Sequence, residues 1–324
     1  MSAGTARATF HDLAPEAESF RDCVLDGLSQ RHKSIPCRFL YDERGSALFE
    51  AICETPEYYP TRTETAILAD CAGAIGALMG PHCQLVEFGS GSSRKVRLLL
   101  AAFERPSSYV AIEISRAALQ QAADDVAAQF PRIDVRAVCA DYMQPLDLAE
   151  IPEPKEGRRL GFFPGSTIGN LDRQGAIAFL KRCRRVVGPR GAMLVGVDLK
   201  KAPRILHDAY NDAAGVTAAF TLNLLTRINR ELGGDFEVAR FAHDASYNMR
   251  DGKVEIFVRS LADQIVTIAG CRFRFAAGER IHTEDSCKYS VPEFQQLALL
   301  AGFAPSRAWT DKAQLFSIHL LTPA

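Results

Sequence analysis

The chain has 324 residues, and its 38 basic and 39 acidic side chains give a formal net charge of −1. This length suits one large domain or two modest ones. The near-neutral charge argues against a nucleic-acid partner, which usually requires a basic face. No stretch approaches the roughly 18 consecutive apolar residues of a membrane span, and the first residues lack the apolar core of a signal peptide. We therefore expect a cytoplasmic protein that has no membrane or nucleic-acid partner.

The cysteines and histidines give no metal-binding pattern. The 9 cysteines are scattered without a C-x-x-C pair, and the 7 histidines form no H-E-x-x-H motif. Scattered cysteines in a cytosolic protein are mostly small core residues. We therefore expect no metal cofactor.

The first 80 residues are predicted to be mainly helical. Apolar side chains recur at helical spacing over residues 17–55, and a proline-bounded irregular stretch follows over residues 55–64. A helix is predicted over residues 63–79, with Thr63 as its N-cap.

Strands and helices then alternate. Five strands are predicted over residues 83–89, 107–115, 133–142, 158–166 and 191–199, separated by helical stretches. Strands spaced in this way by helical segments of 10 to 15 residues indicate a parallel sheet with helices on both faces.

After Asp198 the pattern changes. A long helical stretch over residues 206–232 is followed by β-rich segments up to residue 290, a helix over 291–303 and a final strand over 315–322. The prediction is an α/β fold, a Rossmann-like sheet with an inserted α+β region. Residues 62–198 plus 287–324 would form the sheet domain, and residues 10–61 plus 199–286 the substrate-binding domain.

A glycine-rich turn follows the first strand of the alternation. Gly89, Ser90 and Gly91 match the start of the dinucleotide pattern G-x-G-x-x-G, but Arg94 occupies the third glycine position. The phosphate-loop pattern is absent as well. The turn therefore permits close approach of a ligand but has no pattern for binding phosphate.

Acidic residues end the next two strands. Glu113 lies at the tip of the second strand, within reach of a ribose diol, and Asp141–Tyr142 ends the third, where an adenine edge would be held. A glycine turn followed by two strand-end acids is the pattern of class I methyltransferases that bind S-adenosylmethionine, a ligand that has no phosphate. After the fourth strand, Gly165 bends the chain and Asn170 offers an amide for a carboxylate or an amine.

Five segments together resemble a known family: residues 41–64, 88–100, 162–173, 209–236 and 278–290. They are similar to the histidine-specific N-α-methyltransferases of ergothioneine biosynthesis, and the resemblance spans nearly the whole chain. It implies trimethylation of the α-amine of L-histidine to hercynine, with three molecules of S-adenosylmethionine as co-substrate and no metal. A small-molecule substrate and a monomeric enzyme are expected.

The resemblance also assigns roles to individual residues. The cofactor set would be Gly89, Ser90, Gly91, Lys95, Glu113, Asp141 and Tyr142, although the family usually has aspartate where Glu113 stands. The substrate set would be Tyr58, Gly165, Asn170, Tyr210, Ile256, Glu284 and Ser286, with Tyr58 and Asn170 also as catalytic residues. Glu284 and Ser286 would hold the imidazole. Family members often carry methionine where Ile256 stands, which leaves the side-chain selectivity open.

Three other functions remain to be considered. The first is the same chemistry on another aromatic amino acid or an imidazole amine; a related fungal branch methylates a prenylated tryptophan, although a carboxylate at Glu284 favours a polar ring. The second is a catalytically silent binder of an adenosine ligand. The third is a nicotinamide dehydrogenase, which Arg94 argues against.

Overall fold

The computed structural model describes residues 8–13, 19–91, 93–144, 154 and 156–324. The chain divides into two compact units. The first unit comprises Arg62–Lys200 and Tyr289–Ala324 together with a strand near the N-terminus. The second comprises Lys201–Lys288 and the described part of Ala17–Thr61.

An eight-stranded sheet forms the centre of the first unit. Its strands, numbered along the whole chain, are β1 (Thr9–Asp12), β2 (Gln84–Phe88), β3 (Ser108–Glu113), β4 (Asp134–Cys139), β5 (Arg159–Phe163), β6 (Ala192–Asp198), β12 (Phe303–Thr310) and β13 (Phe316–Pro323). The order across the sheet is β1-β4-β3-β2-β5-β6-β13-β12. The first six strands in this order run parallel to one another. Strand β13 pairs antiparallel with β6, and β12 pairs antiparallel with β13.

Helices cover both faces of this sheet. One apolar cluster includes Ile67, Leu99 and Leu119 from three helices, and a second cluster includes Phe179 and Phe294 from two others. Every residue of β2, β5 and β6 is buried, as expected for parallel strands with both faces covered. The α/β prediction is thereby confirmed. The helices of this unit are α3 (Tyr59–Met79), α4 (Arg94–Ala102), α5 (Arg116–Gln129), α6 (Arg173–Val187) and α9 (Val291–Leu300).

The strand order predicts a ligand-binding crevice at the carboxyl end of β2. The chain passes from β2 to β3 on one side, whereas β5 pairs with β2 on the other. In open α/β sheets, ligands bind at such a reversal of strand order, beyond the carboxyl ends of the strands.

The second unit is an α+β structure with two small antiparallel sheets. Its strands are β7 (Phe241–Asn248), β8 (Lys253–Ser260), β9 (Gln264–Ile268), β10 (Cys271–Phe275) and β11 (Arg280–Cys287). Three of them pair in the order β11-β8-β7, and β9 pairs with β10 as a hairpin. The helices are α1 (Phe20–Ser29), α2 (Glu43–Glu54), α7 (Pro203–Tyr210) and α8 (Val216–Leu232), and short 3-10 turns occupy Cys37–Leu40 and Val238–Arg240.

Two features of the predicted division need correction. The segment that begins at residue 10 was assigned entirely to the substrate domain, but β1 pairs in parallel with β4 in the large sheet. Four residues of extended chain satisfy their backbone groups by extending a sheet edge, and so short a strand carries little pattern of its own. In addition, two boundaries are shifted by two residues each: Leu199 and Lys200 belong to the first unit rather than to the second, and Cys287 and Lys288 belong to the second rather than to the first.

Three further elements differ between the prediction and the structure. Helix α3 begins at Tyr59, so Thr63 is inside it and does not cap it; a proline such as Pro60 is tolerated in a first turn. The long helical stretch is interrupted between α7 and α8, because Asp212 accepts hydrogen bonds from the first backbone N–H groups of α8. Strand β12 was missed, since its residues do not alternate between buried and exposed.

None of the described helices is long and apolar enough to cross a bilayer.

The stability of the first unit should depend on the buried His319 on β13. This side chain packs against the Phe294 ring at 4.7 Å between centroids, and burial lowers its pKa from 6.5 to about 4. The unfolded chain therefore takes up a proton below pH 6.5 that the folded chain does not, and stability falls as the pH drops from 6.5 towards 4. Between about pH 7.5 and about pH 5, we expect the wild type to lose about 2 kcal/mol more unfolding free energy than His319→Leu, measured by urea denaturation.

The matched control for this experiment is His207→Leu, since the side chain of His207 is exposed. That variant should show the same pH dependence as the wild type. An identical pH dependence in wild type and His319→Leu would contradict the prediction.

Candidate active site

The glycine turn at the end of β2 brings backbone close to the ligand crevice. Gly89 has φ of +77°, a conformation that glycine adopts without strain. The backbone N–H groups of Gly89 and Ser90 both donate to the Ile112 carbonyl, at 2.8 and 3.3 Å. The turn is therefore fixed to the neighbouring strand β3. Ser92 lies outside the described residues.

A buried carboxyl group lies just before this turn. Glu87 is 2% exposed, and the Tyr109 hydroxyl donates to its Oε2 at 2.5 Å. Burial raises the pKa of Glu87 to about 7, although the Tyr109 hydrogen bond and the nearby Lys95 act in the opposite direction. The base of the crevice therefore carries an acid that is partly protonated near neutral pH.

The Ser90 side chain offers a buried hydrogen-bonding group in the turn. Ser90 is 1% exposed, and its Oγ has no hydrogen-bond partner among the described residues. A buried hydroxyl without a partner costs stability in the folded protein. A polar ligand group in the crevice would satisfy it.

The two strand-end acids have different environments. Glu113 Oε1 accepts from the backbone N–H groups of Ile114 and Ser115 at 2.8 and 3.0 Å, and Oε2 has no hydrogen bond to the described part of the chain. Burial raises the pKa of this carboxyl group. Asp141 Oδ1 accepts from the Met143 N–H at 2.8 Å. One oxygen of Glu113 orients the side chain, and the other is available to a ligand hydroxyl.

Tyr142 closes the same side of the crevice. Its ring packs edge-on against Phe163 and Phe179, with centroids at 5.8 and 6.0 Å. A Cβ placed on Gly89 would lie 3.6 Å from the Tyr142 ring. The glycine turn and the predicted adenine-binding pair are therefore adjacent in the first unit.

A buried acid that sequence reasoning missed underlies the crevice. Glu64 on α3 is fully buried; its carboxylate pairs with the Lys95 ammonium and accepts from the Gly165 N–H at 3.0 and 2.9 Å. A Cβ on Gly196 would lie 2.0 Å from Glu64 Oε1. Glu64 thus links two residues of the predicted sets, Lys95 and Gly165. An acid within the apolar stripe of a helix was the available signal.

The loop after β5 carries Gly165 and Asn170. Gly165 and Ser166 both have left-handed backbone, with φ of +77° and +57°. The Ser166 hydroxyl accepts from the Asp198 N–H at 2.9 Å, which fastens the loop to the end of β6. Asn170 is the last residue of a 3-10 turn over Thr167–Asn170 and is half-buried.

The second unit places three predicted substrate residues, Ile256, Glu284 and Ser286, on one sheet face. Glu284 is paired with Ile256 and Ser286 with Val254 in the register of β11 and β8. Residues two apart on a strand point to the same side, so Glu284 and Ser286 share the face that carries the buried Ile256. The Tyr210 hydroxyl reaches this face and donates to Ser286 Oγ at 2.8 Å.

Tyr58 belongs to an aromatic cluster in the same unit. Its ring lies 6.3 Å from both Phe49 and Tyr210, in edge-on geometry. Burial, and after it the nearby Tyr210, raise the pKa of Tyr58 well above its usual value. Its hydroxyl makes no hydrogen bond to the described residues. Tyr58 is therefore a protonated phenol at neutral pH.

The predicted site residues are thus divided between the units. All seven cofactor residues lie in the first unit, together with Gly165 and Asn170. Tyr58, Tyr210, Ile256, Glu284 and Ser286 lie in the second. Sequence reasoning did not single out Glu64 or Lys288, whose ammonium donates to both Tyr210 and Ser286.

The first unit has a parallel sheet, a glycine turn without a phosphate-binding pattern, and acidic residues at the ends of the next two strands. Together these features define a class I methyltransferase that uses S-adenosylmethionine. The fold agrees with a solved S-adenosylmethionine-dependent methyltransferase from Clostridium acetobutylicum, with a TM-score of 0.50 and 11% identity, covering 85% of this chain and 98% of that one. The family model for SAM-dependent, histidine-specific methyltransferases matches residues 20–323. The chain belongs to this family.

Two relatives show how far the similarity extends. The histidine N-alpha-methyltransferase of Mycolicibacterium smegmatis is 40% identical over 309 residues, covering 94% of this chain and 95% of that protein. Ergothioneine biosynthesis protein 1 of Neurospora crassa is 32% identical over 298 residues, which is 89% of this chain but 33% of the fungal protein.

Proposed function

We propose that the protein methylates the α-amino group of L-histidine three times, with S-adenosylmethionine as the donor, and releases hercynine. Membership of the histidine-specific family supports this proposal. The structural observation that carries it is the sheet face of the second unit, where Glu284 and Ser286 lie two residues apart beside the Tyr210 hydroxyl. A carboxylate and a hydroxyl at this spacing suit the two ring nitrogens of imidazole.

The crevice of the first unit would hold the methyl donor. S-adenosylmethionine supplies an electrophilic methyl group on a sulfonium and has no phosphate, in agreement with the missing third glycine. The free Glu113 oxygen suits a ribose hydroxyl, and Asp141 with Tyr142 suits adenine. The buried Ser90 hydroxyl, with the backbone of Gly89 and Gly91, suits the polar groups nearest the turn.

The amino acid must present a neutral amine, because an ammonium has no lone pair for displacement at the methyl carbon. Catalysis then depends chiefly on alignment. Gly165, Asn170 and Tyr210 would orient the amino and carboxylate groups, and Ile256 would pack beside the ring. Tyr58 keeps its proton and therefore does not act as a base. We assign it the role of orienting the substrate. The rings of Tyr58 and Phe49 would stabilise the methylated cation by cation–π attraction.

Mass spectrometry of histidine incubated with the protein and S-adenosylmethionine tests the proposal. Successive gains of one, two and three methyl groups are expected. Transfer to tryptophan or histamine, with no product from histidine, would instead establish the alternative of another aromatic amino acid or imidazole amine.

The Ser90 hydroxyl gives a separate test of the donor site. We expect Ser90→Ala to weaken binding of S-adenosylhomocysteine by about five- to tenfold, the value of one hydrogen bond. The ligand-free variant should be at least as stable as the wild type, because the lost hydroxyl has no partner. Isothermal calorimetry and thermal denaturation measure the two effects.

Ser93→Ala is the matched control, since Ser93 Oγ accepts from Arg97 at 2.6 Å. That variant should lose stability and not affinity. A Ser90→Ala protein that binds as tightly as the wild type would remove Ser90 from the donor site.

Three wider expectations belong to the same proposal. The first unit would bind the donor and the second would recognise the amino acid. The enzyme would act in the cytoplasm on a small molecule, as a monomer. Light scattering during size-exclusion chromatography tests the last point, for which a mass near 35.5 kDa is expected.

A further inference from the structure

Three polar side chains form a closed triangle at one end of β11. The Lys288 ammonium donates to the Tyr210 hydroxyl and to Ser286 Oγ, both at 2.8 Å, and the Tyr210 hydroxyl donates to Ser286 Oγ at 2.8 Å. Lys288 is 2% exposed and Ser286 is 5% exposed.

The position of this lysine is fixed. Its backbone N–H donates to the Gly252 carbonyl at 2.8 Å. Its ammonium also lies over the Tyr210 ring, 4.8 Å from the centroid, where a cation is attracted by the ring face. The ammonium is therefore held against both hydroxyl groups.

Counting donors and acceptors shows what the triangle does to Ser286. A serine hydroxyl has one proton and two lone pairs. A phenol is the more acidic hydroxyl, so Tyr210 donates to Ser286 and not the reverse. Both lone pairs of Ser286 are then used, by Tyr210 and by Lys288. Its proton has no acceptor among the described residues.

We propose that Lys288 is a positioning residue that fixes Ser286 as a hydrogen-bond donor, so that the site selects a ring with an acceptor nitrogen as well as an N–H. This inference rests on the proposed function and deepens it. Glu284, on the same face, is an acceptor when ionised. Glu284 and Ser286 therefore bind a ring that has one N–H group and one nitrogen with a lone pair.

Ring chemistry then decides which amino acids fit. A neutral imidazole offers one N–H and one acceptor nitrogen, and satisfies both groups. A pyrrole or an indole offers an N–H but no acceptor, and would leave the Ser286 proton buried without a partner. An imidazolium offers two N–H groups and would meet Ser286 with the wrong polarity.

The test compares L-histidine with the two pyrrolylalanines, in each of which one ring nitrogen is replaced by carbon and the other is an N–H. Dissociation constants are measured by calorimetry with S-adenosylhomocysteine present, so that no turnover is needed. The wild type should prefer histidine over the better pyrrolylalanine by about ten- to a hundredfold, the cost of an unsatisfied buried hydroxyl.

In Lys288→Met this preference should fall about tenfold, because the Ser286 lone pair that the lysine occupied can then accept from a ring N–H. Lys288→Arg, which retains charged donors, should restore the preference. A purely structural role would weaken all ligands equally. An unchanged ratio in Lys288→Met therefore overturns the proposal.

Ser286→Ala tests the same claim without altering the lysine. It should also reduce the preference about tenfold, and an unchanged ratio there equally overturns the proposal. If the wild type binds histidine with the expected preference but forms no methylated product, the proposed function fails and this inference stands. If the wild type methylates histidine but Lys288→Met leaves the ratio unchanged, only this inference fails. Wild-type protein that does not distinguish histidine from the pyrrolylalanines also overturns it.

Discussion

Replacing Glu284 with alanine is expected to raise the KM for L-histidine by about 10- to 150-fold, with a much smaller change in kcat. A hydrogen bond to a charged group contributes about 1.5–3 kcal/mol, and its removal leaves a ring N–H without an acceptor. The effect falls on KM because ring recognition is made equally in the ground state and the transition state. Steady-state kinetics with histidine as the varied substrate measure both constants.

Glu255→Ala provides a matched control on the same sheet. Glu255 lies on β8, one residue from Ile256 and therefore on the opposite face, where it pairs with Lys253 at 3.2 Å. Side chains on that face point away from Glu284 and Ile256, so the variant should retain the wild-type KM. If Glu284→Ala and Glu255→Ala behave alike, ring recognition does not depend on Glu284.

Regular periodicity made the first unit predictable from sequence. Apolar runs such as Tyr109–Ile112 and Leu160–Phe163, separated by amphipathic helices, leave little alternative to a parallel sheet. The glycine turn and the strand-end acids then follow from where such strands end. The short β1 was not predictable in this way, because it depends on β4, which is distant in sequence. Strand β12 pairs with the adjacent β13, but its residues do not alternate between buried and exposed.

Long-range polar contacts were the part that local pattern did not reveal. Lys288 bonds to Tyr210, 78 positions earlier, and Glu64 bonds to Gly165, 101 positions later. Neither pairing has a motif: the apolar stripe around Glu64 indicates that this acid is buried but not which residue it contacts. Glu284 and Ser286 were placed on one face correctly because a strand has a period of two.

Glu64 connects helix α4, which follows the glycine turn, to the loop that carries Gly165 and Asn170. The stability of the first unit and the position of this loop therefore both depend on it. Its carboxylate has no exposed surface and serves two partners at once, the Lys95 ammonium and the Gly165 N–H. Lys95 itself is only 13% exposed. Removing the negative charge therefore leaves a largely desolvated cation without compensation.

We expect Glu64→Gln to lower the unfolding free energy by about 3 kcal/mol, because breaking a buried ion pair on one side is far more costly than breaking an exposed one. The control Glu293→Gln removes the charge from the exposed pair with Lys200 and should cost less than about 1 kcal/mol. The double variant Glu64→Gln/Lys95→Met, which buries no unpaired charge, should recover part of the loss. Urea denaturation of the wild type, Glu64→Gln, Lys95→Met and the double variant gives the coupling energy between Glu64 and Lys95. Equal losses in Glu64→Gln and Glu293→Gln would mean that water reaches Lys95 and that the pair does not anchor the Gly165 loop.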